Sequence, residues 1–191
     1  MAHVTEQGTA SATIPTGTTT WAIDPVHSVV EFAVRHMMVS TVKGRFTDIR
    51  GTIRLDEDQL TQSSVEAEIV AASIDTRDPK RDAHLRSADF LDVEQYPNIT
   101  FKSTRVEPKG KDRARIVGNL TIRGTTKEVT LDATLNGVGK TPFGTEVAGF
   151  SAETSLNRKD WGLNWNVALE TGGVLVGDTV KITIEVEAVK Q

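Results

Sequence analysis

Residues 81–101 read RDAHLRSADFLDVEQYPNITF and bring His84, Arg86, Asp82 and Asp89 into one short stretch. An imidazole beside carboxylates is the material of general acid–base chemistry, and a guanidinium is the material of anion binding. Two other readings compete with catalysis. In a helix Asp82 and Arg86 stand four residues apart and form an ordinary surface pair, while Phe90 and Leu91 anchor the segment to whatever lies beneath it. Alternatively, His84 or Arg86 faces a ligand and binds it without reacting.

Outside this block the chemistry is sparse. His36 keeps the parity of Phe32 and Val34 and so points inward, in a stretch RHMMVSTVKG that adds Met38. A lone inward histidine is more often a hydrogen-bonded core residue than a metal ligand. The chain has no H-x-H, H-x-x-x-H or C-x-x-C spacing, so neither a metal site nor a cofactor is expected. It also lacks a G-x-S-x-G elbow, a P-loop and a G-x-G-x-x-G turn, and it contains no cysteine, which removes thiol chemistry and disulfides together. No enzyme is expected on these grounds. Trp161 and Trp165, spaced i, i+4, either stack on a ligand or hold a flap closed. With 22 basic and 26 acidic residues the net charge is −4, and no basic run tracks a phosphate backbone, so nucleic acid is not an expected partner.

The elements that must position these residues are strands. In EVTLDATL (128–135) Val129, Leu131, Ala133 and Leu135 alternate with polar residues, and the same period of two runs through Val180, Ile182, Ile184 and Val186. Between Phe46 and Ile49 the apolar parity changes, with Gly44 and Gly51 on either side, which predicts a bulge that bends a long strand. Residues 123–126, RGTT, read as a tight hairpin loop. About eight strands without intervening helices favour antiparallel neighbours. Two connections are long. Residues 75–98 carry a helix capped by Asp78 with Pro79 at its first position, and residues 157–178 carry WGLNWN and Gly172-Gly173, a flap. Residues 1–18, rich in Thr, Ser, Gly and Ala, are expected to be a disordered polar tail without a signal peptide, ahead of one domain over 19–191. A cytoplasmic location and no integral membrane segment follow as expectations.

An eight-stranded closed sheet either fills its interior or holds one small ligand there. The inward positions include Gly118, Ala133, Ala148, Ala152, Ala67 and Ala71, apolar but not bulky. Periodicity alone leaves a hollow barrel and a filled two-sheet sandwich both open.

The block AHLRSADFLDVEQYPNITFKS, the opening VHSVVEFAVRHMMVSTVKGRFTDIRG, the hairpin VGNLTIRGTTKEVTL, and LNRKDWGLNW with VGDTVKITIEVEA resemble, in order, the YceI-like family of polyisoprenoid-binding, lipocalin-like proteins. The similarity covers roughly residues 20–190. It implies an all-β fold, an extended eight-stranded antiparallel lipocalin-like β-barrel with a short helical connector. It also implies a non-enzymatic carrier of a polyisoprenoid or other long-chain lipid, often as a homodimer. On this reading the ligand is lined by Phe32, Val34, His36, Met38, Phe46, His84, Arg86, Phe90, Phe101, Ala133, Ala148, Phe150, Trp161 and Trp165. A polar head group would be met at the mouth by His84 and Arg86 first, and by Arg35 and His36 second. The 81–101 block would then be a gate with anchors. The alternatives are a hydrolase acting on a lipid head group through His84 and Asp89, and a β interaction module without a cavity.

Overall fold

A computed structural model describes residues 17–191. The first sixteen positions of the expected polar tail, including His3, lie outside the described residues, and regular structure begins at Thr18. The strands are β1 (Thr18–Ile23), β2 (Val29–His36), β3 (Ser40–Phe46), β4 (Ile49–Asp56), β5 (Ser64–Val70), β6 (Ile74–Asp75), β7 (Asn98–Pro108), β8 (Arg113–Ile122), β9 (Thr125–Lys140), β10 (Glu146–Asn157) and β11 (Val176–Lys190), with one α-helix, α1 (Pro79–Arg86).

All pairings are antiparallel, and eight strands close a ring in the order β1-β4-β5-β7-β8-β9-β10-β11, with β11 returning to β1 through Trp21↔Lys190 and Ile23↔Ala188. That closure excludes the open sandwich. The three remaining strands extend three staves of the barrel. β1 and β2 pair with successive stretches of β11, while β3 and β4 pair with β2 and β1 in turn, and β6 continues β5 alongside β3. Each of these staves is therefore one long strand with a break, at residues 24–28, 47–48 and 71–73.

The break at Thr47 and Asp48 is the bend that the parity change between Phe46 and Ile49 predicts, and it buries both of those side chains. Its two glycines serve close approaches. A Cβ on Gly51 would sit 2.2 Å from the Glu66 carbonyl oxygen, and one on Gly44 would sit 2.4 Å from the tip of the Phe32 ring. The β8–β9 loop is shorter than the four residues expected. Arg123 and Gly124 alone make the turn, both with positive φ, as a two-residue hairpin requires.

The buried core, with Trp21, Ile53, Leu55 and Ala188, lies inside the lower part of the barrel, where β1 closes on β11. The upper end, where the β2–β3 hairpin turns, is covered by three pieces of chain. They are the connector 76–97 with α1, the flap 158–175, and the β8–β9 turn. The helix starts as its sequence dictates, with Asp78 accepting from the amides of Lys80 and Arg81 and Pro79 at the first turn.

Candidate ligand channel

Beyond the buried core the inner face of the barrel is only partly filled. Leu131, Ala133, Ile182 and Ile184 point inward yet are only partly buried, because space rather than protein lies in front of them. Two chambers occupy this space. The upper has a volume of about 200 Å³ and is walled by β2, β3, α1, the flap and the start of β11. The lower has a volume of about 250 Å³ and reaches down between β4, β5 and β7–β11. Phe46, Ile99, Ile122, Leu156 and Ile182 line both chambers and form a waist between them. The surface of each chamber is almost wholly carbon. Such a lining favours apolar over polar contents, because burying a polar group without a partner costs several kcal/mol, on the order of 2–7.

The sequence-predicted residues divide cleanly. Phe32, Val34, His36, Phe90 and Trp161 line the upper chamber, Phe101, Ala133 and Phe150 the lower, and Phe46 the waist. Met38, His84, Arg86, Ala148 and Trp165 line neither. Met38 and Met37 both have positive φ and make the β2–β3 turn, so the alternation that runs through Phe32, Val34 and His36 stops there. The Met38 side chain is 61% exposed. Ala148 has inward parity but sits in the packed lower core with Trp21 and Ala188. Gly118 leaves no free space either, since the Phe101 ring fills the place of its absent side chain, 2.6 Å from where a Cβ would lie.

Arg86 is an anchor. Its Nε donates to the Ala72 carbonyl at 2.9 Å and its Nη2 to the Ile74 carbonyl at 2.8 Å, tying α1 to the break in the third stave. It does not pair with Asp82, which accepts instead from the amide and hydroxyl of buried Thr76. Arg81, which sequence reasoning missed, lines the upper chamber and donates from Nε to the Thr76 hydroxyl and from Nη2 to the Thr76 carbonyl, both at 2.8 Å. The helix thus grips the barrel through two arginines, a threonine and a buried aspartate.

His84 Nε2 donates to the Asp89 carboxylate at 2.8 Å, and its ring stands edge-on to both Phe90 and Trp165, which also touch each other. These three rings join the connector to the flap above the upper chamber. The Phe90 carbonyl accepts from Arg123 of the β8–β9 turn, and Trp161 Nε1 donates to the Leu120 carbonyl at 3.0 Å. The flap has a second staple, also absent from the sequence reading. Arg158 is 5% exposed, and its guanidinium donates to the carbonyls of Leu163, Trp165, Val176 and Gly177 while lying 3.7 Å from the Asp178 carboxylate. Burial holds its pKa below the usual arginine value, with Asp178 opposing that shift. The sequence offers no signal for this role, since the five donors of one arginine find their acceptors only once the flap has closed on β11.

The structure is a closed antiparallel β-barrel with carbon-lined chambers, covered at one end by a helical connector and a flap. The chain belongs to the YceI-like family, whose model matches residues 21–188. It is 41% identical over 170 residues to a UPF0312 protein of Staphylococcus epidermidis, covering 88% of this chain and 96% of that one. A Campylobacter jejuni YceI protein of known structure superimposes with a TM-score of 0.70 at 28% identity, covering 98% of this chain and 99% of its own. A polyisoprenoid binding domain from Saccharophagus degradans shares the fold with a TM-score of 0.70 at 13% identity, covering 91% of this chain and 99% of its own.

Proposed function

We propose that the protein is a non-enzymatic carrier or store for a polyisoprenoid or similar long-chain amphiphile, held with its tail along the two chambers. The observation that carries this reading is the pair of apolar chambers that meet at a shared waist. Each branched five-carbon unit drawn into it contributes roughly 3–4 kcal/mol of gross burial at about 0.8 kcal/mol per carbon, before ordering costs. A few units give useful affinity without polar chemistry. A polar head group then stays outside the carbon-lined chambers, near His36 and Arg35 at the upper rim, where the bonds of Arg35 to the Thr41 hydroxyl and the Met38 carbonyl are exposed to solvent, whereas Arg86 ties the helix to the barrel and His84 is bonded to Asp89. The same proposal places the protein in the cytoplasm as a homodimer. Light scattering at micromolar concentration and cell fractionation test these two points.

Native mass spectrometry of gently purified protein tests the main reading. A retained lipid mass, displaced by added long-chain isoprenoid, is the expected result. Ala133→Trp, which fills the lower chamber, should abolish uptake of a fluorescent long-chain ligand in a folded protein. Normal uptake by that variant would overturn the channel reading, and turnover of the bound lipid would make the protein an enzyme.

A further inference from the structure

The break in the first stave, at residues 24–28, folds Asp24, His27 and Glu187 together on the barrel wall, and none of the three lines either chamber. His27 Nδ1 lies 2.7 Å from Asp24 Oδ2 and 3.7 Å from Glu187 Oε1, and the three atoms all fall within 4.8 Å of one another. We infer that Asp24, His27 and Glu187 form a binding site for a divalent first-row transition metal ion. Metal–nitrogen and metal–oxygen bonds of about 2.0–2.2 Å put neighbouring ligand atoms roughly 3.0–3.4 Å apart. The two separations from His27, 2.7 and 3.7 Å, straddle that range, and the two carboxylate oxygens lie within 4.8 Å of each other, so rotation of the partly exposed Glu187 side chain completes the set.

The backbone beneath the three ligands is fixed by bonds that do not involve an ion. Asp24 Oδ1 accepts from the Val26 amide at 2.8 Å, which turns Oδ2 toward His27. The Asp24 amide donates to the Glu187 carbonyl at 2.9 Å. Buried Ser28 donates from its hydroxyl to the same carbonyl and accepts from the Glu187 amide, at 3.2 and 3.1 Å. The two halves of the site, 160 residues apart in sequence, are thereby locked side by side.

Charge points the same way. Among the described residues no lysine or arginine pairs with Asp24 or Glu187, and the imidazole is the one basic group that faces both carboxylates. A bound divalent ion supplies the missing positive charge. The His27 side chain is 61% exposed, so further coordination positions remain open to water. One imidazole with two carboxylates suits zinc, manganese, nickel or ferrous iron, whereas calcium and magnesium prefer all-oxygen sets.

The test is calorimetric titration of the full chain with zinc, nickel or manganese chloride in a buffer that does not coordinate metal, with calcium chloride as control. One saturable site per chain is expected for at least one transition metal and none for calcium. His27→Ala and Glu187→Gln should each weaken binding at least tenfold and abolish the metal-induced rise in melting temperature, while melting without metal stays close to that of the parent. His3→Ala should leave binding unchanged. No saturable binding up to millimolar metal, or equal binding in both site variants, would overturn the assignment and leave a protonated His27 as the only cation between the two carboxylates.

Discussion

His84 of the connector and Trp165 of the flap meet edge to face, with ring centroids 4.6 Å apart at 88°. Neither side chain reaches the channel, yet together with Phe90, whose ring does line the upper chamber, they join the two long connections across its top. The block that looks most like an active site in the sequence is thus one half of a clasp.

Opening that clasp should speed ligand exchange. An aromatic pair of this kind is worth about 0.5–1.5 kcal/mol beyond its area, so Trp165→Ala should raise the dissociation rate of a fluorescent long-chain ligand roughly twofold to tenfold. Stopped-flow displacement measures it. An unchanged rate would place exchange at the lower end, where residues 111–113 border the other chamber.

The waist should set how much chain is felt. Ile122 borders both chambers, and Ile122→Trp should close the passage between them. In the parent, affinity for a series of isoprenoids should rise with each added unit. In the variant it should level off once the nearer chamber is full. Parallel length profiles for the two proteins would show that no chain passes Ile122.

Loss of Arg158 should be costly for the flap. Removing a buried cation that serves four carbonyls leaves acceptors without partners, and Arg158→Leu should destabilise the protein by about 3 kcal/mol in urea denaturation. Arg158→Lys should recover only part of that, because one ammonium cannot reproduce the planar fork. A loss below about 1 kcal/mol for the leucine variant would mean that water replaces the guanidinium.

The β2–β3 turn is strained by its residues. Met37 and Met38 have φ of 51° and 62°, a region that costs an L-residue with a Cβ about 1–2 kcal/mol and that Asn-Gly occupies readily. Met37→Asn with Met38→Gly should therefore stabilise the fold by about 1 kcal/mol, less the contact that Met38 makes with Gly173. A lower denaturation midpoint would show that this contact outweighs the strain.

Local rules carried much of this molecule in the sequence alone. Alternation placed the inner faces of β9 and β11, the parity change at Phe46 and Ile49 marked the bend between β3 and β4, and Asp78-Pro79 marked the start of α1. Each depends on a few neighbouring residues, so spacing suffices to read it. Whether the inner face is filled depends on the whole circumference. Only closure of β11 on β1 made Ala133 the wall of a chamber and left Ala148, on the same face by parity, inside a packed core with Trp21. The polar side chains found their roles still later in the hierarchy. Arg86 meets carbonyls 12 and 14 residues away, Arg158 gathers carbonyls from both ends of the closed flap, and Glu187 comes beside Asp24 and His27 from the far end of the chain, and no local pattern encodes those meetings.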